Sequence, residues 1–229
     1  MFNSLIIGNG EVGQALFRVL RPVYNVYIQD MDINECPVDI DILHICFPYS
    51  KSFISDVQFY IDHYRPKNTI IHSTVPIGTS RQCQTFHSPI RGMHPDMERG
   101  IRFFVKYLAP KDRKLKKYFE DAGIKIKFAK TTEDTEAMKL WDTTQYGLSI
   151  VAEKLINKFC KENKLDFDLI YTDANKTYNE GYTKLKLTNV IRPVLKHIDG
   201  PIGGHCVMEN CDLLKSEITN FIKKLNKTF

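Results

Sequence analysis

The 229-residue sequence has no apolar run near the roughly 18 residues a membrane helix needs, so no membrane partner is expected. Its six cysteines, at 36, 46, 83, 160, 206 and 211, include no C-x-x-C pair. That excludes the usual zinc and redox signatures, and a chain long enough for its own core does not need disulfides. Cys36, Cys46, Cys83 and Cys160 are expected as buried apolar thiols. Internal repeats and low-complexity tracts are missing too, and with 43% hydrophobic and 26% charged residues the chain is an ordinary globular one. The start, MFNSLIIGNGEVG, lacks a basic n-region and a small-residue cleavage site. It reads as a first strand instead of a signal peptide, which makes the cytoplasm the expected location.

Charge is not strongly one-sided either: 32 Lys and Arg against 27 Asp and Glu give +5. Most of the excess lies between Arg99 and Lys130, through Arg102, Lys106, Lys111, Arg113, Lys114, Lys116, Lys117, Lys125 and Lys127. Such a stretch can be a solvated helix face, a site for an anionic small molecule, or a nucleic-acid surface. Without interleaved aromatics or a nucleic-acid motif, the solvated face is the expectation and no nucleic-acid partner is expected.

What the chain does have is alternation. Strands are expected at Ser4–Ile7, Asn25–Gln29, Asp41–Phe47 and Thr69–His72, then at Gln84–His87, Phe104–Leu108 and Ile124–Phe128. Helices fall between them at Glu11–Leu20, Ser52–Tyr64 and Lys111–Ala122, the last ended by Gly123. This order predicts an α/β fold, a doubly wound parallel sheet covered on both faces. Near residue 131 the pattern changes. Thr131–Asn163 reads as one helix about 45 Å long, with Met138, Trp141, Leu148, Ala152, Leu155 and Phe159 on one apolar stripe. Glu136, Lys139, Thr143 and Tyr146 fall opposite, on a side continued by Lys154 and Lys161. Helices are also expected at Asp168–Tyr178 and Met208–Asn226, around a loop carrying Arg192-Pro193 and GPIGGHC. The expected division is a dinucleotide-binding domain at 1–130 and a smaller all-helical domain at 131–229.

GNGEVG, residues 8–13, fits G-x-G-x-x-G directly after the strand LII and at the opening of a helix. In that context Gly8 makes the tight turn, Gly10 lets the backbone approach a pyrophosphate and Gly13 lets helix and strand pack closely. Glu11 and Val12 stand at the helix N-terminus that faces the anion. The second strand, VYIQD, ends in Asp30, the expected acceptor for ribose hydroxyls, with Asp32 as its rival. A carboxylate there repels a 2′-phosphate, favouring NAD over NADP. S-adenosylmethionine is the other ligand that such sheets take.

Four further segments resemble the nucleotide-sugar dehydrogenases (UDP-glucose and GDP-mannose type) of the 6-phosphogluconate dehydrogenase-like superfamily. HSTVPIGTSR, residues 72–81, resembles the family's strand end beside the nicotinamide. ICFPYS, residues 45–50, resembles its proline-containing cofactor loop. EAMKLWDTT, residues 136–144, resembles the start of its long helix, and GPIGGHCVMEN, residues 200–210, its cysteine loop. The resemblance implies two-domain architecture, NAD as cofactor with Pro48, Ser73 and Thr74 beside it, and dimerisation through the long helix. It also implies Thr74 as a positioning residue for water or cofactor, Glu136 in support, Lys139 stabilising an oxyanion and Cys206 as the nucleophile. Three departures stand out. Thr143 replaces the family's asparagine, Asn210 replaces the aspartate that serves thioester hydrolysis, and the chain ends about 20 residues after the cysteine loop. These make a single hydride transfer, with Lys139 as acid or base, more economical than a four-electron sugar oxidation.

HSPIRGMHPDM, residues 87–97, offers His87, Arg91 and His94 as an anionic-substrate clamp, or else as a turn-rich loop whose histidines cap backbone groups. Thr143, His205 and Asn210 complete the expected substrate-binding set. A metal held by His87, His94, His205 and Cys206 matches no ligand spacing, and none is expected. Gly203 and Gly204 are expected to allow close backbone approach. The resulting expectation is an NAD-dependent oxidoreductase acting on a small polar alcohol or carbonyl substrate, with two alternatives that the sequence leaves open: a non-redox NAD-binding protein, or an S-adenosylmethionine-dependent transferase.

Overall fold

Short apolar runs bounded by turns cannot bury themselves as helices, and here five of them pair side by side. The structure, a computed structural model, describes residues 2–30, 39–92, 95–204 and 206–229; Asp32, Cys36, His94 and His205 lie outside the described residues. Strands β1 (Asn3–Ile7), β2 (Asn25–Gln29), β3 (Ile42–Ile45), β4 (Asn68–Ile71) and β5 (Phe86–His87) form one parallel sheet in the order β2-β1-β3-β4-β5. The order reverses between β1 and β3, where a doubly wound sheet opens its ligand crevice. Strands β6 (Lys106–Leu108) and β7 (Ile126–Phe128) form a separate parallel pair, and a single antiparallel bridge joins His87 to Ala109.

Strand alternation sorts the core. Leu5, Ile7, Leu43, Ile45 and Ile71 pack with Phe53 and Val57 of α2 (Phe53–Tyr64) on one face. Ile6, Ile42 and Ile70 pack on the other with Leu16 and Val19 of α1 (Glu11–Leu20) and Tyr118 and Phe119 of α5 (Arg113–Asp121). Asp112 caps α5 by accepting the Leu115 N–H at 2.8 Å, and Gly123, at φ +78°, follows the helix end. Two short helices fall in segments expected as loops, α3 (Thr79–Gln82) and α4 (Met97–Phe103). Each follows a turn that apolar periodicity does not register.

Helix α6 (Thr132–Asn163) runs unbroken for 32 residues. The chain divides into two compact units, Met1–Leu140 and Trp141–Phe229, so the first turns of α6 belong with the sheet. In the second unit, α7 (Ala174–Lys184) follows a π-helical stretch at Asp168–Asp173. The single helix expected at Met208–Asn226 is two: α8 (Cys206–Leu214) and α9 (Glu217–Asn226). Lys215 sits at φ +47° between them, and Ser216 with Thr219 forms a capping box that starts α9. A small core of Val151, Ile202, Val207, Cys211 and Ile222 holds this unit together. Gly147 earns its place in α6 here, since a Cβ would come 2.6 Å from Val207 Cγ1.

The stripe expected to be the buried face of α6 is the wetter one. Trp141, Leu155 and Phe159 are 47%, 38% and 56% exposed, while Leu140, Thr144, Val151, Lys154 and Cys160 are buried. Part of the polar side is buried because it has partners. Glu153 Oε1 lies 2.6 Å from His197 Nδ1, and Lys154 Nζ donates to the carbonyls of Ile198 and Gly200 at 2.5 Å each. Lys154 therefore does not continue a solvated face.

Candidate active site

The three glycines of the β1–α1 turn divide into two that lock and one that opens. At Gly8, φ is +106° and a Cβ would lie 2.8 Å from the Cys46 carbonyl carbon and the Phe47 nitrogen. At Gly13 a Cβ would lie 1.9 Å from the Gly8 carbonyl oxygen. Both positions close the floor of the crevice between β1 and β3. At Gly10, which caps α1 with no side-chain hydrogen bond, a Cβ would meet nothing within 4 Å. The open side of the turn is thus where the helix N-terminus and its dipole meet solvent. Glu11 is exposed and Val12 half-buried at the first turn of α1.

The Gly8 N–H donates to the Gln29 carbonyl at 2.9 Å, which places the end of β2, followed by exposed Asp30, beside the turn. Pro48 is exposed beyond β3. Ser73 Oγ donates to the Phe47 carbonyl at 2.5 Å, joining the ends of β3 and β4, and Thr74 beside it is half-buried. Along the carboxyl edge of the sheet, Gly8–Gly13, Asp30, Pro48, Ser73 and Thr74 therefore occur in one row of strand ends.

Glu136, in the first turns of α6, is fully buried, and its two carboxylate oxygens accept the N–H groups of Gly78 at 2.6 Å and Ser80 at 2.7 Å. It caps the turn that follows the Ser73-Thr74-Val75-Pro76 segment. Burial holds its carboxyl above the ordinary range, against the lowering pull of the hydrogen bonds from Ser80 and Gly78. Half-buried Lys139, one helical turn on, is carried by the same anchored segment.

His87 is fully buried. Its Nε2 lies 3.2 Å from the Ser73 carbonyl and its Nδ1 2.7 Å from Thr135 Oγ1. Both ring nitrogens are occupied within the chain, so His87 supports Ser73 from below and does not reach toward a substrate. Burial pushes its pKa down to about 3, which keeps the ring neutral. Arg91 is half-buried, with its guanidinium 5.6 Å from the Phe104 ring centroid. In the second unit Cys206 is exposed at the start of α8, Thr143 is half-buried and Asn210 is buried at 5% exposure. No chain atom would meet a Cβ at Gly203 or Gly204 within 4 Å; Gly204 is required by its φ of +76°. Among the described residues no cluster of His, Cys, Asp or Glu is placed to hold a metal.

Sequence reasoning missed the residues under this edge. Lys106, counted with the solvated cations, is 4% exposed, and His44 and His72 are buried beside it. The available signal was a lone histidine inside each of two apolar runs, ILHI and TIIH.

No protein-family model and no curated protein sequence matches the chain. Solved structures do match. A UDP-D-ManNAc dehydrogenase from Pyrococcus horikoshii is 14% identical at a TM-score of 0.72, covering 99% of this chain and 68% of its own. A UDP-glucose dehydrogenase from Pyrobaculum islandicum is 11% identical at 0.74, covering 100% of this chain and 68% of its own. The 3-hydroxyisobutyrate dehydrogenase of Mycobacterium tuberculosis is 12% identical at 0.72, covering 100% of this chain and 94% of its own. The chain thus spans about two thirds of the length of the nucleotide-sugar enzymes and nearly all of the hydroxyacid enzyme. The shared property is the fold, a parallel sheet with surrounding helices of the dehydrogenase type.

Proposed function

We propose that the chain is an NAD-dependent oxidoreductase that moves one hydride between the cofactor and a small polar alcohol or carbonyl compound. The observation that carries this reading is the β1–α1 turn: closed by Gly8 and Gly13, open at Gly10, and set at the point where strand order reverses. A cradle that a Cβ would fill, with a helix N-terminus behind it, suits a pyrophosphate. In this reading Gly8, Gly10, Glu11, Val12 and Gly13 hold the phosphates, Asp30 takes the ribose hydroxyls, and Pro48, Ser73 and Thr74 border the nicotinamide. NAD, when bound, supplies the hydride acceptor. Lys139 gives or takes the hydroxyl proton, and Arg91 offers a fork for a carboxylate or phosphate on the substrate.

Two points support a small substrate and a single hydride transfer. The hydroxyacid enzyme is matched along nearly its whole length. Asn210 stands where a thioester-hydrolysing enzyme of the resembling family has an aspartate, and an amide cannot act as the acid or base that a carboxyl group can. The exposed Trp141, Leu155 and Phe159 on α6 support a homodimer formed through that helix.

Thermal-shift titration with NAD, NADP and S-adenosylmethionine tests the ligand, and only NAD is expected to raise the melting temperature. Gly10→Val is the decisive variant. A Cβ at this position meets no chain atom within 4 Å, so the apoprotein should melt as the wild type does while the NAD shift disappears. A rise with S-adenosylmethionine alone would end the oxidoreductase reading. Turnover on a panel of hydroxyacids and alcohols should fall in Lys139→Ala with NAD affinity kept.

A further inference from the structure

Five buried polar side chains of the first unit form a continuous chain across the sheet, from the residue after β4 to the start of β1. Lys106 Nζ of β6 lies 3.1 Å from Nδ1 of His72, the residue after β4. His72 Nε2 lies 2.9 Å from His44 Nδ1 on β3, and His44 Nε2 lies 3.0 Å from the hydroxyl of Tyr118 on α5. That hydroxyl lies 2.8 Å from Ser4 Oγ on β1. None of the five is more than 4% exposed. Nζ of Lys106 also bonds the carbonyls of Ser88 and, at 3.2 Å, Pro89.

The direction of every bond in this chain is set by one group. A neutral imidazole has one donor and one acceptor nitrogen, so each histidine passes on the direction it receives. An ammonium has donors only; an amine has a lone pair. His72 Nδ1 lies 2.7 Å from the Ser88 carbonyl oxygen, a contact that requires a hydrogen on Nδ1. With that hydrogen present, the face of Lys106 Nζ toward His72 is a lone pair, and its two remaining N–H bonds serve Ser88 and Pro89. His44 then carries its hydrogen on Nδ1, and Tyr118 donates to His44 Nε2.

We propose that Lys106 is held as a neutral amine and is the sensing end of a proton-driven switch: on taking up one proton it reverses the hydrogen bonds along His72, His44, Tyr118 and Ser4. The balance is simple. One proton is taken from solvent at the Ser4 end; Ser4 passes one to Tyr118, Tyr118 to His44 Nε2, His44 Nδ1 to His72 Nε2 and His72 Nδ1 to the Lys106 lone pair, so each interior group gives one and receives one and Lys106 alone changes charge.

The groups facing Lys106 fit a neutral amine. Burial pushes its pKa down to about 7; the Cys46 thiol at the end of β3 opposes this and Lys139 on α6 adds to it. Phe119 of α5 places its ring centroid 5.8 Å from Nζ, and His87 on β5 is held neutral by burial. His44 and His72 are themselves held far below their ordinary range by burial, with Lys106 as a further cause. The switch therefore works by exchange of tautomers, with both rings uncharged throughout. Reversal takes the hydrogen off His72 Nδ1 and frees it from Ser88, so the ends of β4 and β5, which lead into Ser73–Thr74 and Arg91, respond to proton uptake.

The test is nitrogen-15 NMR of histidine-labelled protein from pH 6 to 9. His44 and His72 are expected to carry hydrogen on Nδ1 at the alkaline end and on Nε2 at the acid end, with one shared midpoint. Lys106→Met should abolish the exchange. Unchanged tautomers across the range, or the same exchange in Lys106→Met, would overturn the proposal. Should that variant fail to fold, the Lys106 Nζ resonance of the wild type decides: an ammonium signal persisting to pH 9 overturns the switch, and loss of the proton near the histidine midpoint supports it. No ligand is needed, so this result and the NAD titration can fail independently.

Discussion

Lys106 and Lys154 are both buried, one in each unit, and they are held by opposite means. Lys154 reaches from α6 to two carbonyls of a loop, those of Ile198 and Gly200. Its sequence neighbour Glu153, 2% exposed at the side chain, lies 2.6 Å from His197 of the same loop. A cation, an anion and an imidazole together tie residues 197–200 to the helix. Lys106 reaches two carbonyls at the strand ends, but its third partner is a histidine that belongs to a neutral chain. The difference shows that burial alone does not say what a lysine does. Where charged partners are close, it is a strap; where only neutral groups that can reverse surround it, it becomes a titrating element.

The contrast can be broken most forcefully with acid. His44 and His87, with folded pKa values near 3, and His72, also held far down, are neutral in the fold and take up protons below pH 6.5 once unfolded. The unfolded chain then binds more protons than the folded one as pH falls from 6.5 toward 3, and stability is lost across that window. The loss should exceed about 5 kcal/mol by pH 4, comparable with the whole margin of a domain. Hydrogen exchange at pH 4.5 should therefore find the strand amides of the first unit unprotected. Retained protection there would count against neutral, buried histidines.

Next in size is Lys154→Met, which leaves the Ile198 and Gly200 carbonyls without their donor. A loss of about 3 kcal/mol in denaturant unfolding is expected. Lys106→Met should cost less at pH 6, because removing a costly buried ammonium offsets two orphaned carbonyls. Its signature is a slope. Between about 7, where the folded lysine loses its proton, and 10.5, where the unfolded one does, the unfolded state holds the extra proton and wild-type stability rises with pH. That rise, up to about 1.4 kcal/mol per pH unit, should be missing from the variant.

The sequence made the local parts legible. Glu11–Leu20 and Asn25–Gln29 occur at the residues expected, because a glycine turn, an amphipathic stripe and a β-branched run each carry their own signal. The turn at Gly8 could likewise be named from the spacing of its glycines, whereas Ser73 and the segment at Glu136 were named only through the family resemblance of their motifs. What escaped was whatever depends on distant partners. Lys106 lies in a three-residue strand amid ten other cations, and only the approach of His72 and Ser88 buries it. The polar side of α6 was read as wet because its partners at 197–200 are some 40 residues away. The break at Lys215 was readable in Ser216 and Thr219, but a continuous apolar period concealed it.

Trp141 is the sequence's only tryptophan and stands 47% exposed on α6, at the first residue of the second unit. The optical consequence is that the protein's ultraviolet emission under selective excitation comes from a single half-wet indole. Anything that dries that face, a second copy included, shifts the emission to the blue and shields it from a soluble quencher. Folding of the buried histidine chain and covering of the helix can thus be followed in one sample, by nuclear resonance for the first and by light for the second, with no label added to either.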